Sequence, residues 1–174
     1  MANETTLAQE TALSLADPRV SAAIALVWHE ARLLDDKDYQ GWDRLWAPGG
    51  RYVIPIDWET KDFESTLNMV YDDERMRRMR IERLVSGYSI SAVAAARTVR
   101  TVSRFVVVHT DEDEGSVELS SAQVLVGHKR DDTFVLGADL THRIVFDEAG
   151  PRIALKVIRL VNSHESVSAS GFLL

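Results

Sequence analysis

Residues 116–147 read SVELSSAQVLVGHKRDDTFVLGADLTHRIVFD, and the way this stretch folds back on itself decides the architecture. Two long runs rich in Val, Leu, Ile and Phe flank Asp131–Asp132, a pair of turn-forming residues. Strands joined by so short a link must run antiparallel. The pattern continues outward on both sides. VRTVSRFVVVHT (99–110) precedes across DEDEG, and RIALKVIRLVN (152–162) follows across EAGP. Four long strands in a meander are expected, with helices ahead of them, so the class is α+β.

Taking Asp131–Asp132 as the two-residue loop sets a register. Ser121 then faces His142 and Gln123 faces Leu140; carried outward, Phe105 lies beside Ser121 and Leu155 beside His142. Paired residues share a face. One face collects Phe105, Leu119, Leu125, Leu140, Ile144, Ile153 and Leu155, with Ser103, Ser121, Gln123, His142 and Arg159 as its few polar members. The helices are expected to cover it. The other face mixes charges with Val102, Val106, Val124, Val126, Val135, Val145, Ile158 and Leu160. Eight aliphatics are too many for a face left in water, so a protein–protein interface is expected there.

Upstream, Asp17–Pro18 is an N-cap and first-turn pair, and Val20, Ile24, Val27, Ala31 and Leu34 keep helical spacing behind it. A short helix is expected over Tyr39–Leu45, ended by APGG (47–50). RYVIPI (51–56) reads as a short strand with Pro55 placing it at an edge, and 57–68 as a polar loop. YDDERMRRMRIERLVSG (71–87) reads as a charged helix. Its acids Asp72, Asp73 and Glu74 lead and its arginines trail, which complements the helix dipole; Tyr71, Met76, Met79 and Leu84 supply a narrow apolar stripe. Residues 1–17 read as a polar arm and 18–174 as a single domain.

Composition narrows the function. The 174 residues are 45% hydrophobic and 27% charged, as a globular domain requires, and their net charge of −7 disfavours nucleic acid and anionic membranes. With no cysteine there is no disulfide, thiolate nucleophile or Fe–S ligand. The opening MANETTLAQETALSLADP lacks the basic and apolar regions of a signal peptide, and no apolar run approaches the ~20 residues of a membrane span. A soluble cytoplasmic protein is expected.

Four segments carry a resemblance. EARLLDDKDYQGWDRLWAPGGRYVIPI (30–56), MVYDDERMRRMRIERLVSG (69–87), ARTVRTVSRFVVV (96–108) and KVIRLVNS (156–163) resemble the β (small) subunit of aromatic-ring-hydroxylating dioxygenases, on an NTF2-like (cystatin-like) cone. SAVAAART (91–98) departs from the family, which usually carries a proline and polar residues there. The resemblance implies a non-catalytic trimer that braces a trimer of α subunits, as α3β3. Those α subunits carry a Rieske [2Fe–2S] centre and a mononuclear non-haem iron, and the complex dihydroxylates an aromatic ring with O2 and electrons from NAD(P)H, in aromatic compound catabolism. It also implies that Asp72, Asp73, Arg77, Arg80, Arg83, Arg97 and Arg100 lie at subunit interfaces. The residues themselves agree that neither iron centre is held here. A Rieske site needs two cysteines, and the register pairs none of His29, His109, His128, His142 and His164.

Two other readings stay open. NTF2-like cones also serve as isomerases, dehydratases and polyketide cyclases, with acid/base side chains in a deep apolar cavity. His142, with Gln123, Ser121, Ser103 and Arg159, and His29 or Tyr52 nearby, would be the catalytic set, and a cavity of several hundred cubic ångströms reaching His142 is what that reading requires. A stand-alone small-ligand binding protein or homo-oligomeric scaffold is the third.

Overall fold

The computed structural model describes residues 17–86, 96–111, 115–163 and 172–174. The expected arm, except Asp17, and most of SAVAAART lie outside them. Two helices open the chain: α1 (Pro18–Asp35) and α2 (Tyr39–Asp43). Asp17 caps α1, its side chain accepting from the Arg19 amide, and Pro18 occupies the first helical turn. Strands β1 (Trp46–Pro55) and β2 (Asn68–Asp72), helix α3 (Glu74–Val85), then β3 (Arg97–Asp111), β4 (Ser116–Lys129), β5 (Asp132–Asp147) and β6 (Gly150–Leu160) complete the order. All six strands form one sheet, β2-β1-β6-β5-β4-β3, antiparallel except for the parallel β1–β6 pair. The class is α+β, as expected, and the meander is present.

Several local expectations fail for identifiable reasons. The β4–β5 loop is Arg130–Asp131, since Lys129 pairs with Asp132. Both loop residues have positive φ, 52° and 65°, as the tight primed hairpin turn demands. The pairing therefore slides by two residues: Ser121 faces Leu140 and His142 faces Leu119. A shift of two leaves every β4 and β5 residue on its expected face. Irregularities elsewhere do not. A bulge around Arg104, whose φ is 56°, turns the start of β3 over, so Val102 and Arg100 point inward and Ser103 outward. In β6, Arg143 pairs with Leu155 but Ile144 with Ile153. Lys156, Ile158 and Leu160 thereby join the inner face, and Arg159, paired with Asp139, leaves it.

β1 is not an edge strand. It begins at Trp46 and runs through the expected helix stop, and Pro55 sits at its very end, where the register breaks. The edge on this side of the sheet is β2, a strand that straddles the expected loop and helix. Asp72 ends that strand, and Asp73 caps α3, accepting from the Met76 amide. The face of α3 is also reversed: it buries Arg77 and Ile81, while Met76 and Met79 stand in solvent.

The core lies between α1, α2 and the inner sheet face. Val20, Ala23, Val27 and Leu34 meet Leu119, Leu125, Leu140, Ile144, Ile153 and Ile158, all essentially inaccessible. Trp42, Trp46 and Tyr52 pack edge to face with centroids 5.3–6.1 Å apart. Phe134 lies over Gly127 on the neighbouring strand, where an added Cβ would fall 2.2 Å from the ring. On its other side Phe134 stacks on Phe172 at 5.7 Å. Gly127→Val should therefore displace Phe134 and cost about 1–3 kcal/mol in a urea titration; an unchanged midpoint would mean that the ring has room to move.

Candidate functional site

Within the core a polar cluster stands where an apolar interior would be expected. Glu30 sits on the apolar stripe of α1, between Val27 and Leu34, and is 2% exposed. Its Oε1 accepts from Trp42 Nε1 and Lys156 Nζ, both at 2.9 Å, and its Oε2 lies 3.0 Å from His142 Nε2. Burial alone would raise the Glu30 pKa. The Lys156 charge and the hydrogen bonds from His142 and Trp42 outweigh it and hold the carboxyl well below the usual carboxylate range. Burial pushes His142 down, only partly offset by Glu30, and likewise Lys156. The arrangement is thus a Glu30 carboxylate and a Lys156 ammonium bridged beside a neutral imidazole, whose Nε2 proton points at Glu30.

A second cation completes the interior. The Arg100 side chain is fully buried; its amide donates to Asp35 Oδ2 at 2.9 Å and its Nη1 lies 3.3 Å from Asp35 Oδ1. The segment Phe172–Leu174 is buried in the same core. Arg100 Nη2 donates to the Leu173 carbonyl at 2.7 Å; Tyr52 Oη and Lys156 Nζ each donate to the Leu174 main-chain oxygen at 3.1 Å.

These facts locate the proposed catalytic set. Ser121, Gln123 and His142 do share the buried inner face, as the sequence predicts. Arg159 does not belong with them. It reaches from the outer face to the carbonyls of Trp58 and Thr60 at 3.0 and 3.2 Å, because the β6 irregularity turns it round. Ser103 and His29 are exposed, and the Tyr52 hydroxyl is taken by Leu174. Two clefts formed by described residues, about 560 and 490 Å³, lie along α3 and the start of β1, and neither includes His142. Glu30 and Lys156, the cluster's charged centre, are absent from the sequence-derived set. A glutamate interrupting an apolar stripe was the available signal for the first; nothing local marks the second.

The seven expected interface residues are scattered by burial. Asp72 is 1% exposed and held by Arg80, with Nε–Oδ2 at 2.6 Å and Nη2–Oδ1 at 3.0 Å. Arg77 is buried against its own chain, donating to the Gly50 carbonyl at 2.6 Å with its guanidinium 4.2 Å from the Trp46 ring centroid. Arg100 is interior and Asp73 is a helix cap. Arg83 and Arg97 are exposed.

The outer sheet face is a different kind of surface. Val99, Val126 and Val135 form a rank across β3, β4 and β5, being successive register partners, and are 69, 44 and 62% exposed. Val106, Val124 and Val161 extend it, with the pairs Arg104–Asp139 and Arg143–Glu118 at its borders. Val102, Ile158 and Leu160, expected here, are instead in the core, and Val99 and Val161 take their place.

Comparison with known proteins agrees with this architecture. The beta subunit of benzene 1,2-dioxygenase from Pseudomonas putida is 32% identical over 104 residues, a stretch that is 55% of this chain and 55% of the relative, so the match spans about half of each. The beta subunit of benzoate 1,2-dioxygenase from Burkholderia mallei superposes with TM-score 0.69 at 18% identity, covering 82% of this chain and 90% of that one. An NTF2-like protein with a cystatin-like fold from Novosphingobium aromaticivorans gives TM-score 0.57 at 11% identity, covering 83% and 82%. These likenesses identify the fold as NTF2-like. Residues 29–165, most of the chain and all six strands, match the family described as the ring hydroxylating beta subunit, and to that family the chain belongs.

Proposed function

We propose that this chain is the non-catalytic, structural subunit of an aromatic-ring-hydroxylating dioxygenase, present as a trimer that braces a trimer of α subunits in an α3β3 complex. In this reading the Rieske [2Fe–2S] centre and mononuclear iron are held by the α subunit, the complex dihydroxylates an aromatic compound in its catabolism, and the setting is the cytoplasm. Among the described residues no helix is long and apolar enough to cross a membrane.

The observation that carries the reading is the outward rank of Val99, Val126 and Val135. Aliphatic side chains in contiguous ranks on an open sheet face favour burial by a partner, and we assign that face to a second copy of the chain. The interior supports a bracing role over catalysis, since His142 Nε2 is taken up by the Glu30 carboxylate, which is itself bridged to Lys156. Arg83 and Arg97 are the candidates from the charged set that remain available for α.

The test is the solution mass of the chain, alone and co-expressed with a candidate α subunit. A mass of three chains that joins α is expected. Val126→Lys with Val135→Lys should reduce the isolated protein to a monomer that still unfolds cooperatively in urea, because both side chains are exposed on the single chain. A parent protein that is monomeric and ignores α would overturn the proposal.

A further inference from the structure

We propose that the cleft between the end of α2, the start of β1 and α3 binds a small anion that keeps one hydroxyl proton, such as hydrogenphosphate or a 2-hydroxycarboxylate. The proposal is independent of any α subunit and of the outer sheet face. It begins with atoms that lack partners. Among the described residues, Asp43 Oδ1, Arg77 Nε and Trp46 Nε1 are buried and form no hydrogen bond, and all three residues line one cleft of about 560 Å³. They are also neighbours. Arg77 Nε stands 3.9 Å from Asp43 Oδ1, and the Arg77 guanidinium lies 4.2 Å from the Trp46 ring centroid.

At 3.9 Å the arginine and the aspartate do not bond each other, but one oxygen set beside the gap reaches both. Buried polar atoms are satisfied by protein, water or ligand in nearly all folded proteins. The oxygen required here must accept from Arg77 Nε and donate to Asp43 Oδ1, and only a hydroxyl or a water fills both roles. A bare carboxylate or sulfate oxygen would face Asp43 with no proton between them. The two atoms are enclosed as the cleft stands. The hydroxyl therefore enters by displacing Arg78, the exposed arm that bridges Asp43 and Glu74.

The rest of the cleft favours an anion over a lone water. Arg44, Arg77, Arg78 and Arg152 stand against Asp43, Glu74 and Asp147, a local excess of positive charge in a chain whose net charge is −7. The acids are largely committed. Asp147 accepts from the Ala149 amide and from Arg152 Nε, and Arg78 takes Asp43 Oδ2 and Glu74 Oε1. The Arg44 side chain is exposed and has no partner among the described residues, so its donors are spare. Burial pushes Arg77 down, and the surrounding acids only partly offset it, so one more negative charge beside its guanidinium is favourable. Trp46, Ala47 and Pro48 add an apolar wall, and the cleft has room for an organic body behind the anionic group.

The full chain would be titrated at neutral pH with phosphate, sulfate, lactate and propanoate at matched ionic strength, followed by calorimetry and thermal unfolding. Phosphate keeps a proton there and sulfate has none; lactate carries the hydroxyl that propanoate lacks. A saturable rise in Tm is expected for the hydroxyl-bearing member of at least one pair. It should bind about tenfold or more tightly than its counterpart, the difference made by one hydrogen bond. Sulfate carries at least the charge of phosphate, so charge alone predicts the opposite order. A response to phosphate assigns hydrogenphosphate, and a response to lactate assigns an organic hydroxy acid. Arg44→Gln, at an exposed position, should weaken binding about threefold or more and leave the Tm of the unliganded chain in place. Asp43→Asn should erase the preference within the pair, because an amide can donate to an oxygen that carries no proton. No saturable response to any of the four, equal responses within both pairs, binding unchanged by Arg44→Gln, or a preference that survives Asp43→Asn each overturns the proposal. Should Asp43→Asn fail to fold, the paired anions on the parent and on Arg44→Gln decide it.

Discussion

Glu30→Ala is expected to cost about 3–5 kcal/mol in a urea titration. The carboxylate is the shared partner of Lys156, His142 and Trp42, at 2.9, 3.0 and 2.9 Å, in a site that water does not reach. Removing it leaves the ammonium with the Leu174 main-chain oxygen as its remaining acceptor among the described residues, and an indole N–H with none. Breaking a buried pair costs more than the pair is worth, because the stranded charge cannot return to water. The corollary separates this account from simple loss of packing. Glu30→Leu with Lys156→Met, which removes both charges, should recover most of the stability lost by Glu30→Leu alone. Equal losses in the single and double variants would show that cavity formation, not charge, sets the cost.

The same cluster fixes the response to acid. Glu30 is held below its ordinary 4.5, so its contribution is present above that value and is lost as pH falls through the folded pKa. His142 is pushed below 6.5 by burial, so below 6.5 the unfolded chain takes up a proton that the folded chain refuses. Both act in one direction: stability declines on acidification from about 6.5 and steepens below about 4.5. His142→Gln should flatten the upper part of that decline.

How much of this was legible in the sequence depended on whether local rules were enough. The meander was, because long β-branched runs with tight links admit little else, and α1 was, because its cap and spacing agree. Faces were legible only until a strand became irregular. A single extra residue near Arg104, and another in β6, exchanged Val102, Ile158 and Leu160 for Val99 and Val161 on the outer face, and no residue type announces either. The interior cluster was half visible: His142, Ser121 and Gln123 follow from strand alternation, but Lys156 enters only through the β6 irregularity. The α3 face was misread because Arg77 is buried by a Trp46 ring and a Gly50 carbonyl that lie 27 or more residues away in the chain. Its methionines, which hydrophobicity alone would bury, stay outside. Family membership was legible in short motifs, whose specificity survives errors of register.

Arg80→Ala is the second substitution expected to have a large effect, about 2–3 kcal/mol once the partial exposure of the arginine is discounted. Asp72 is the reason. It ends β2 at 1% exposure, and both of its oxygens are held by Arg80, which thereby ties the edge strand to α3 across the Asp73 cap. Burying a carboxylate with its fork-shaped partner gone is unfavourable, so Asp72→Asn should restore part of the loss in the Arg80→Ala background. No recovery there would place the cost in the arginine's stem packing instead. The distinction bears on assembly. Arg80→Ala would weaken an α3β3 complex simply by loosening β2 and α3, so a joint Arg80 and Arg83 variant cannot report on contact. Arg83 is exposed and, among the described residues, its side chain bonds its own helix, at the Met79 carbonyl, 3.3 Å away. Arg83→Ala should keep the urea midpoint of the parent, and any loss of assembly it causes comes from the surface it presents. If assembly falls with Arg80→Ala but not with Arg83→Ala, the arginines of α3 serve the fold of their own chain, and docking to α is carried elsewhere.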